Sequence, residues 1–192
     1  MQTGEFEISG QLVQQVEDNI AIYHKNLGPA NRMALYFNLS VLNFGLEKYS
    51  RSLHWINTIL NNPDNRGENL GITTTIRILR LILYYEMSYF DILEYELRST
   101  YRYISKQKPL YKFDEMMLLF IRKTTSLYDR GKIKKLMEQT RNELVKLSKI
   151  KTEQQTLSYF DFISWLDSKL ENRKFTDIVK EKVQERVKEI AA

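Results

Sequence analysis

Apolar residues recur along this chain at three- and four-residue intervals, the period of one face of a helix. Leu12, Val16, Ile20 and Tyr23 predict a first helix over 10–26. Asn26-Leu27-Gly28-Pro29 closes it, with Gly suited to a left-handed C-terminal position and Pro blocking continuation. A second helix is predicted from Ala30 to Phe44 and a third from Lys48 to Asn61, separated by a tight break at Gly45–Lys48. Asn61-Asn62-Pro63-Asp64-Asn65-Arg66-Gly67 is the clearest loop. Six further helices are predicted over 68–86, 89–106, 112–128, 131–148, 153–171 and 174–190. Their breaks lie at Met87-Ser88, Gln107-Lys108-Pro109, Asp129-Arg130-Gly131, Lys149–Lys151 and Asn172-Arg173. No short segment alternates like a strand, so the prediction is all-α, with about nine helices and short links.

The helix breaks also repeat. Tyr49, Tyr89, Ile133 and Phe175 each follow a break, at separations of 40, 44 and 42 residues, with Ser52, Ile92, Leu136 and Ile178 three positions on. The pairing predicts hairpins over 30–63, 68–106, 112–148 and 153–190, preceded by the unpaired helix at 10–26, in one helical-repeat domain over 1–192. A helical hairpin cannot bury its apolar face alone, so repetition implies stacking. The unpaired first helix reads as the second half of an earlier repeat, which fits a chain that forms part of a longer protein.

In the best-preserved pair, Leu35, Asn38-Leu39-Ser40, Phe44, Tyr49, Ser52 and Pro63 stand in a recognisable order. This segment resembles a tetratricopeptide repeat: Ser40 and Ser52 occupy the positions where small residues let the helices approach closely. Ile59 departs from the small residue expected in the second helix, and Arg80, Thr124 and Leu166 replace the first small residue in the later pairs. The spacing also exceeds the usual period of about 34 residues. The resemblance is to a divergent member, and it implies a right-handed superhelical array of antiparallel helix pairs. HEAT- or armadillo-like repeats and a non-repetitive bundle are the alternatives.

The resemblance further implies that the first helix of each pair lines a concave partner-binding surface. Carried over by position, this surface comprises Phe37, Asn38, Val41, Phe44, Arg77, Leu81, Tyr84, Ile121, Thr125, Tyr128, Ile163, Asp167 and Leu170. Aromatic anchors beside an arginine suit an extended peptide or an amphipathic helix. Phe37, Phe44 and Ile121 fit a core role as well. Of the family's carboxylate-clamp positions only Asn38 and Arg77 match in type, so that clamp is not expected.

Charge adds a competing reading. The chain carries 29 Lys/Arg against 24 Asp/Glu, a formal +5. The excess is concentrated in residues 71–150, with 16 basic against 9 acidic side chains. There Arg98, Arg102, Lys132, Lys134 and Lys135, among other cations, are interleaved with Tyr84, Tyr85, Tyr101, Tyr103 and Tyr111. Basic and aromatic side chains together can hold single-stranded nucleic acid. Against this, Arg98, Tyr101, Arg102 and Tyr103 cannot all share one helix face, and pairs such as Glu94–Arg98 read as ordinary surface pairing.

Reaction chemistry finds little support. The absence of cysteine excludes disulfides, thiolate metal sites and a cysteine nucleophile. Neither His24 nor His54 has a histidine or carboxylate three or four residues away, and no phosphate-binding glycine loop or nucleophile elbow is present. Asp161 and Asp167, placed on one helix, would point about 120° apart and do not converge for acid–base work. The last segment carries Phe175, Ile178, Val179, Val183, Val187 and Ile190 on one stripe and reads as a helix capping the stack, with a homodimer seam as the alternative. No segment is long and apolar enough to span a bilayer, and the N-terminus has no leader pattern.

The sequence therefore predicts a cytoplasmic, non-enzymatic scaffold without cofactor or metal. Its concave face would bind a protein or peptide, and nucleic-acid binding through the basic middle is the alternative.

Overall fold

The computed structural model describes residues 6–63, 70–106 and 111–191. Every regular element among them is helical, and the contacts divide the chain into two compact units, one of residues 1–66 with 167–192 and one of residues 67–166.

The first unit holds α1 (Phe6–Asp18), α2 (Ile20–Asn26), α3 (Pro29–Gly45), α4 (Tyr49–Asn61) and α11 (Phe175–Ala191). The second holds α5 (Leu70–Glu86), α6 (Phe90–Ile104), α7 (Lys112–Ser126), α8 (Arg130–Leu147) and α9 (Lys151–Tyr159). The division falls inside α10 (Phe162–Glu171), after Leu166.

Eleven helices thus stand among the described residues where spacing predicts nine. Both extra breaks have local polar causes. At Asn19 the backbone leaves helical geometry (φ −102°, ψ 13°) while the side chain donates to the Gln15 carbonyl at 2.8 Å, dividing the helix predicted over 10–26. Phe160 is extended (φ −147°, ψ 141°), and the following Asp161 carboxylate accepts from the Ser164 amide at 2.9 Å and the Ser164 hydroxyl at 2.5 Å. Asp161 is thus the N-cap of α10, not a charge within a continuous helix over 153–171. The predicted break at Gln107-Lys108-Pro109 and most of the loop at 61–67 lie outside the described residues.

Three chain reversals use one device. After α3 the Glu47 amide donates to Phe44 O and the Lys48 amide to Asn43 O; after α5 the Ser88 amide donates to Tyr85 O and the Tyr89 amide to Tyr84 O. After α10 the Arg173 amide reaches Ser168 O. In each, one residue takes the left-handed conformation: Glu47 (φ 59°), Ser88 (57°) and Asn172 (54°). This is the Schellman arrangement, built without glycine. Counting from Glu47 and Ser88, Phe44 corresponds to Tyr85, so the sequence alignment on Tyr49 and Tyr89 is one residue out of register.

In the first unit, α3 and α4 pack closely at Ser40 and Ser52, whose hydroxyls lie 2.9 Å apart; Ser52 also donates to the Ser40 carbonyl at 2.8 Å. Around them Tyr36, Phe37, Leu39, Val41, Phe44, Trp55, Ile56 and Ile59 are buried. Phe175 of α11 meets Phe44 of α3 edge-on at 5.5 Å, and α1 also packs against α3. In the second unit α5 is buried almost all round, from Ile72 through Ile76, Ile78, Leu79, Leu81, Ile82 and Leu83, as befits a central helix. Trp165 closes over it, donating its indole N–H to Glu86 at 2.6 Å.

Candidate functional site

The expected concave row is largely core. Phe37, Val41 and Phe44 are buried in the first unit, and Leu81 and Tyr84 in the second. Side chains at helical spacing face inward whether they line a groove or a core, and here packing claims them. Asp167 is also buried and accepts from Lys182 Nζ at 2.7 Å. Arg77 is half-buried with its guanidinium 4.0 Å from the Tyr103 ring centroid, and burial lowers its pKa. Thr125 is half-buried and donates to the Arg122 carbonyl at 2.8 Å. Only Asn38, on α3, and Tyr128, in the turn before α8 and 96% exposed, stand open to solvent. Of the row's other members, Ile121 is buried, and Ile163 and Leu170 are half-buried.

The basic candidates separate. Lys132, Lys134 and Lys135 are exposed near the start of α8, where the Lys132 amide is capped by Asp129 Oδ1 at 2.9 Å. Arg98 and Arg102 lie elsewhere, on a groove between α6 and α7 with a volume of about 490 Å³. Tyr101 shares this groove with them, whereas Tyr103 turns to the other flank of α6 and meets Arg77. Three of the four side chains that the sequence places around α6 therefore converge.

The groove is built by helical spacing on both walls. From α6, Leu97 and Tyr101 stand one turn apart, with Arg98 and Arg102 beside them; from α7 come Glu115, Leu118, Leu119 and Arg122. Leu97, Ile104 and Leu118 are buried and form the floor, while Tyr101 and Leu119 remain exposed, at 62% and 41%. An apolar floor with exposed apolar walls is incompletely covered within its own unit. The rim sets three guanidinium groups against the single carboxylate of Glu115. Arg98 pairs with Glu94 at 3.0 Å, but both side chains are well exposed and the pair is weak. Arg102 and Arg122 form no ion pair among the described residues. Leu118 and Leu119 were not singled out by sequence, and Arg122 only as one cation of the basic middle: an α7 stripe gains meaning only once α6 is known to lie beside it.

A second hollow, of about 420 Å³, lies in the first unit beside Glu17, Asn43, Lys48 and Arg51. Its polar groups are largely spent on each other. Glu17 accepts from Asn43 Nδ2 at 3.1 Å, Arg51 Nε at 3.0 Å and Trp55 Nε1 at 2.6 Å. The two histidines serve packing: His24 Nδ1 lies 2.6 Å from the Tyr36 hydroxyl, and His54 meets the Trp55 ring edge-on. Among the described residues no three His, Cys, Asp or Glu side chains are grouped to hold a metal ion, and no helix is long and apolar enough to cross a membrane.

Comparison with known proteins returns no matching family model, no matching curated protein and no matching solved structure.

Proposed function

We propose that the protein is an interaction scaffold whose α6–α7 groove docks an amphipathic helix bearing carboxylates along its flanks. The observation that carries this reading is the pairing of exposed Tyr101 and Leu119 over an apolar floor with Arg102 and Arg122, two cations without an ion-pair partner among the described residues. A guest helix laying apolar residues at i, i+3/i+4 and i+7 into the groove would cover Tyr101 and Leu119. Its flanking Asp or Glu would meet the arginine rim, where planar guanidinium favours two-point contact with carboxylate. The docking position therefore moves from the expected concave row, most of which is core, to the outer seam between two helices. The repeated Schellman reversal after α3 and α5 supports reading the chain as a divergent tetratricopeptide-like array of helix pairs.

Selection from a displayed library of helical peptides tests this directly. Binders should carry an apolar stripe with acidic flanks, and the double substitution Arg102→Glu with Arg122→Glu should weaken them by about tenfold or more, roughly 1.4 kcal/mol. Leu119→Asp should do the same without unfolding the protein, because Leu119 is part-exposed. Binders lacking carboxylates, or affinities unchanged in both variants, would overturn the reading. Tighter, groove-dependent binding of a single-stranded RNA oligonucleotide would replace it with the nucleic-acid alternative.

A further inference from the structure

We propose that Asp114 and Glu153 form a proton-operated clasp that fastens α9 to the first turn of α7 while Asp114 keeps its proton and loosens when it is lost. The two carboxyl groups come from distant parts of the second unit and are both buried, at 3% and 5% exposure. They have different environments. Glu153 spans the N-terminus of α7, accepting from the Lys112 amide at 3.2 Å through Oε1 and from the Phe113 amide at 3.2 Å through Oε2. Amides at a helix start present partial positive charge, and both Glu153 oxygens are spent on them.

Asp114 stands in the same first turn of α7 but has less to hold a charge. Its Oδ1 is buried without a hydrogen-bond partner among the described residues, and only the Tyr111 backbone bond favours its anion. Phe113, itself fully buried, packs its ring with its centroid 4.7 Å from that of Phe162. Among the described residues no cation offsets the crowding. Glu153 faces Asp114 from α9 and Glu115 adds to it from α7, while exposed Lys112 exerts no resolved influence. Of the other helices packed on α7, α5 commits Arg77 to Tyr103 and Arg80 to Glu96. Arg98 and Arg102 of α6 line the groove, and Glu143 and Lys146 of α8 pair with each other. Burial first, then Glu153, pushes the Asp114 carboxyl up to about 7.

The sign follows from linkage. Unfolded Asp ionises near pH ~3.9, so between there and about 7 the folded state holds a proton that the unfolded state has lost. Stability of the α7–α9 contact therefore falls as pH rises through this window, and the loss is complete above about pH 7. At alkaline pH the second negative charge beside Glu153 has no outlet except separation of the helices or entry of water.

Hydrogen exchange of the intact chain at about pH 5.5 and pH 8, corrected for intrinsic rates, reads the clasp locally. Protection across 111–118 and 151–159 should drop by roughly tenfold or more in the wild type, and by far less in Asp114→Asn, whose amide cannot ionise. Glu153→Gln should shrink the drop as well, by relieving the charge that disfavours Asp114 ionisation. Equal protection at both pH values in the wild type, or the same drop in Asp114→Asn, would overturn the proposal. A carbon-detected NMR titration of wild-type Asp114 needs no variant: a midpoint near 7 supports the clasp, and one near 4 overturns it.

Discussion

Trp55 donates its indole N–H to the Glu17 carboxylate at 2.6 Å, tying α4 to α1 across 38 residues of chain. The same carboxylate takes bonds from Asn43 of α3 and Arg51 of α4, and Glu17 is nearly sealed from solvent. One side chain thus holds three helices in register, beside Val13, the buried apolar residue among the described side chains of α1.

Truncation of Glu17 should be costly for that reason. Glu17→Ala strands a buried indole donor and a buried amide together with the Arg51 charge, and should destabilise the first unit by about 3–5 kcal/mol. Glu17→Gln retains one acceptor oxygen and should lose distinctly less. Urea unfolding followed by tryptophan fluorescence measures both, and a Glu17→Ala midpoint indistinguishable from wild type would show that α1 is not held through this bond.

Left-handed turns offer the opposite kind of change. Glu47 and Ser88 hold φ near +60° with a Cβ present, a conformation that costs roughly 1 kcal/mol or more for an L-residue and nothing for glycine. Glu47→Gly and Ser88→Gly should therefore raise stability by up to about 1 kcal/mol each, less the extra chain entropy that glycine brings to the unfolded state. Thermal unfolding of the two single variants and the double variant checks the sign. Asn172 tolerates the same conformation through its short polar side chain, so Asn172→Gly should change little.

These turns also show what the sequence could and could not reveal. The breaks before Tyr49, after Glu86 and at Asn172-Arg173 were legible because apolar periodicity lapses there. The residue that reverses the chain was not, because Glu47 and Ser88 lack the glycine signature, and alignment on the neighbouring tyrosines slipped by one position. Most of the expected concave row is packed into the core for a related reason. Spacing identifies an inward face, but it does not distinguish a core-facing Phe44 from a groove-facing Phe44. The α6–α7 groove was half visible, in Arg98, Tyr101 and Arg102, and its other wall depended on a contact that no local pattern encodes.

Asp161 is the clearest residue whose meaning changed. As the N-cap of α10 it satisfies the Ser164 amide and hydroxyl together. Asp161→Ala should cost about 1–2 kcal/mol, and Asp161→Asn or Asp161→Ser should recover most of it, since either can accept from the same amide. Circular dichroism melts distinguish this from a solvated surface charge, for which all three substitutions would be neutral.

Ser40 and Ser52 test whether the α3–α4 hairpin depends on small residues at its closest approach. Both are fully buried, and their hydroxyls leave no room between the helices for further atoms. Ser52→Ala deletes the bond to the Ser40 carbonyl but keeps the volume nearly constant, so a loss of about 1 kcal/mol is expected. Ser52→Leu must drive the helices apart against Trp55, Ile56 and Phe44 and should lose more, about 2–3 kcal/mol. The order matters more than either value. A Ser52→Leu protein at least as stable as Ser52→Ala in chemical denaturation would mean that the seam yields easily, and that close approach at Ser40 and Ser52 does not set the hairpin's geometry.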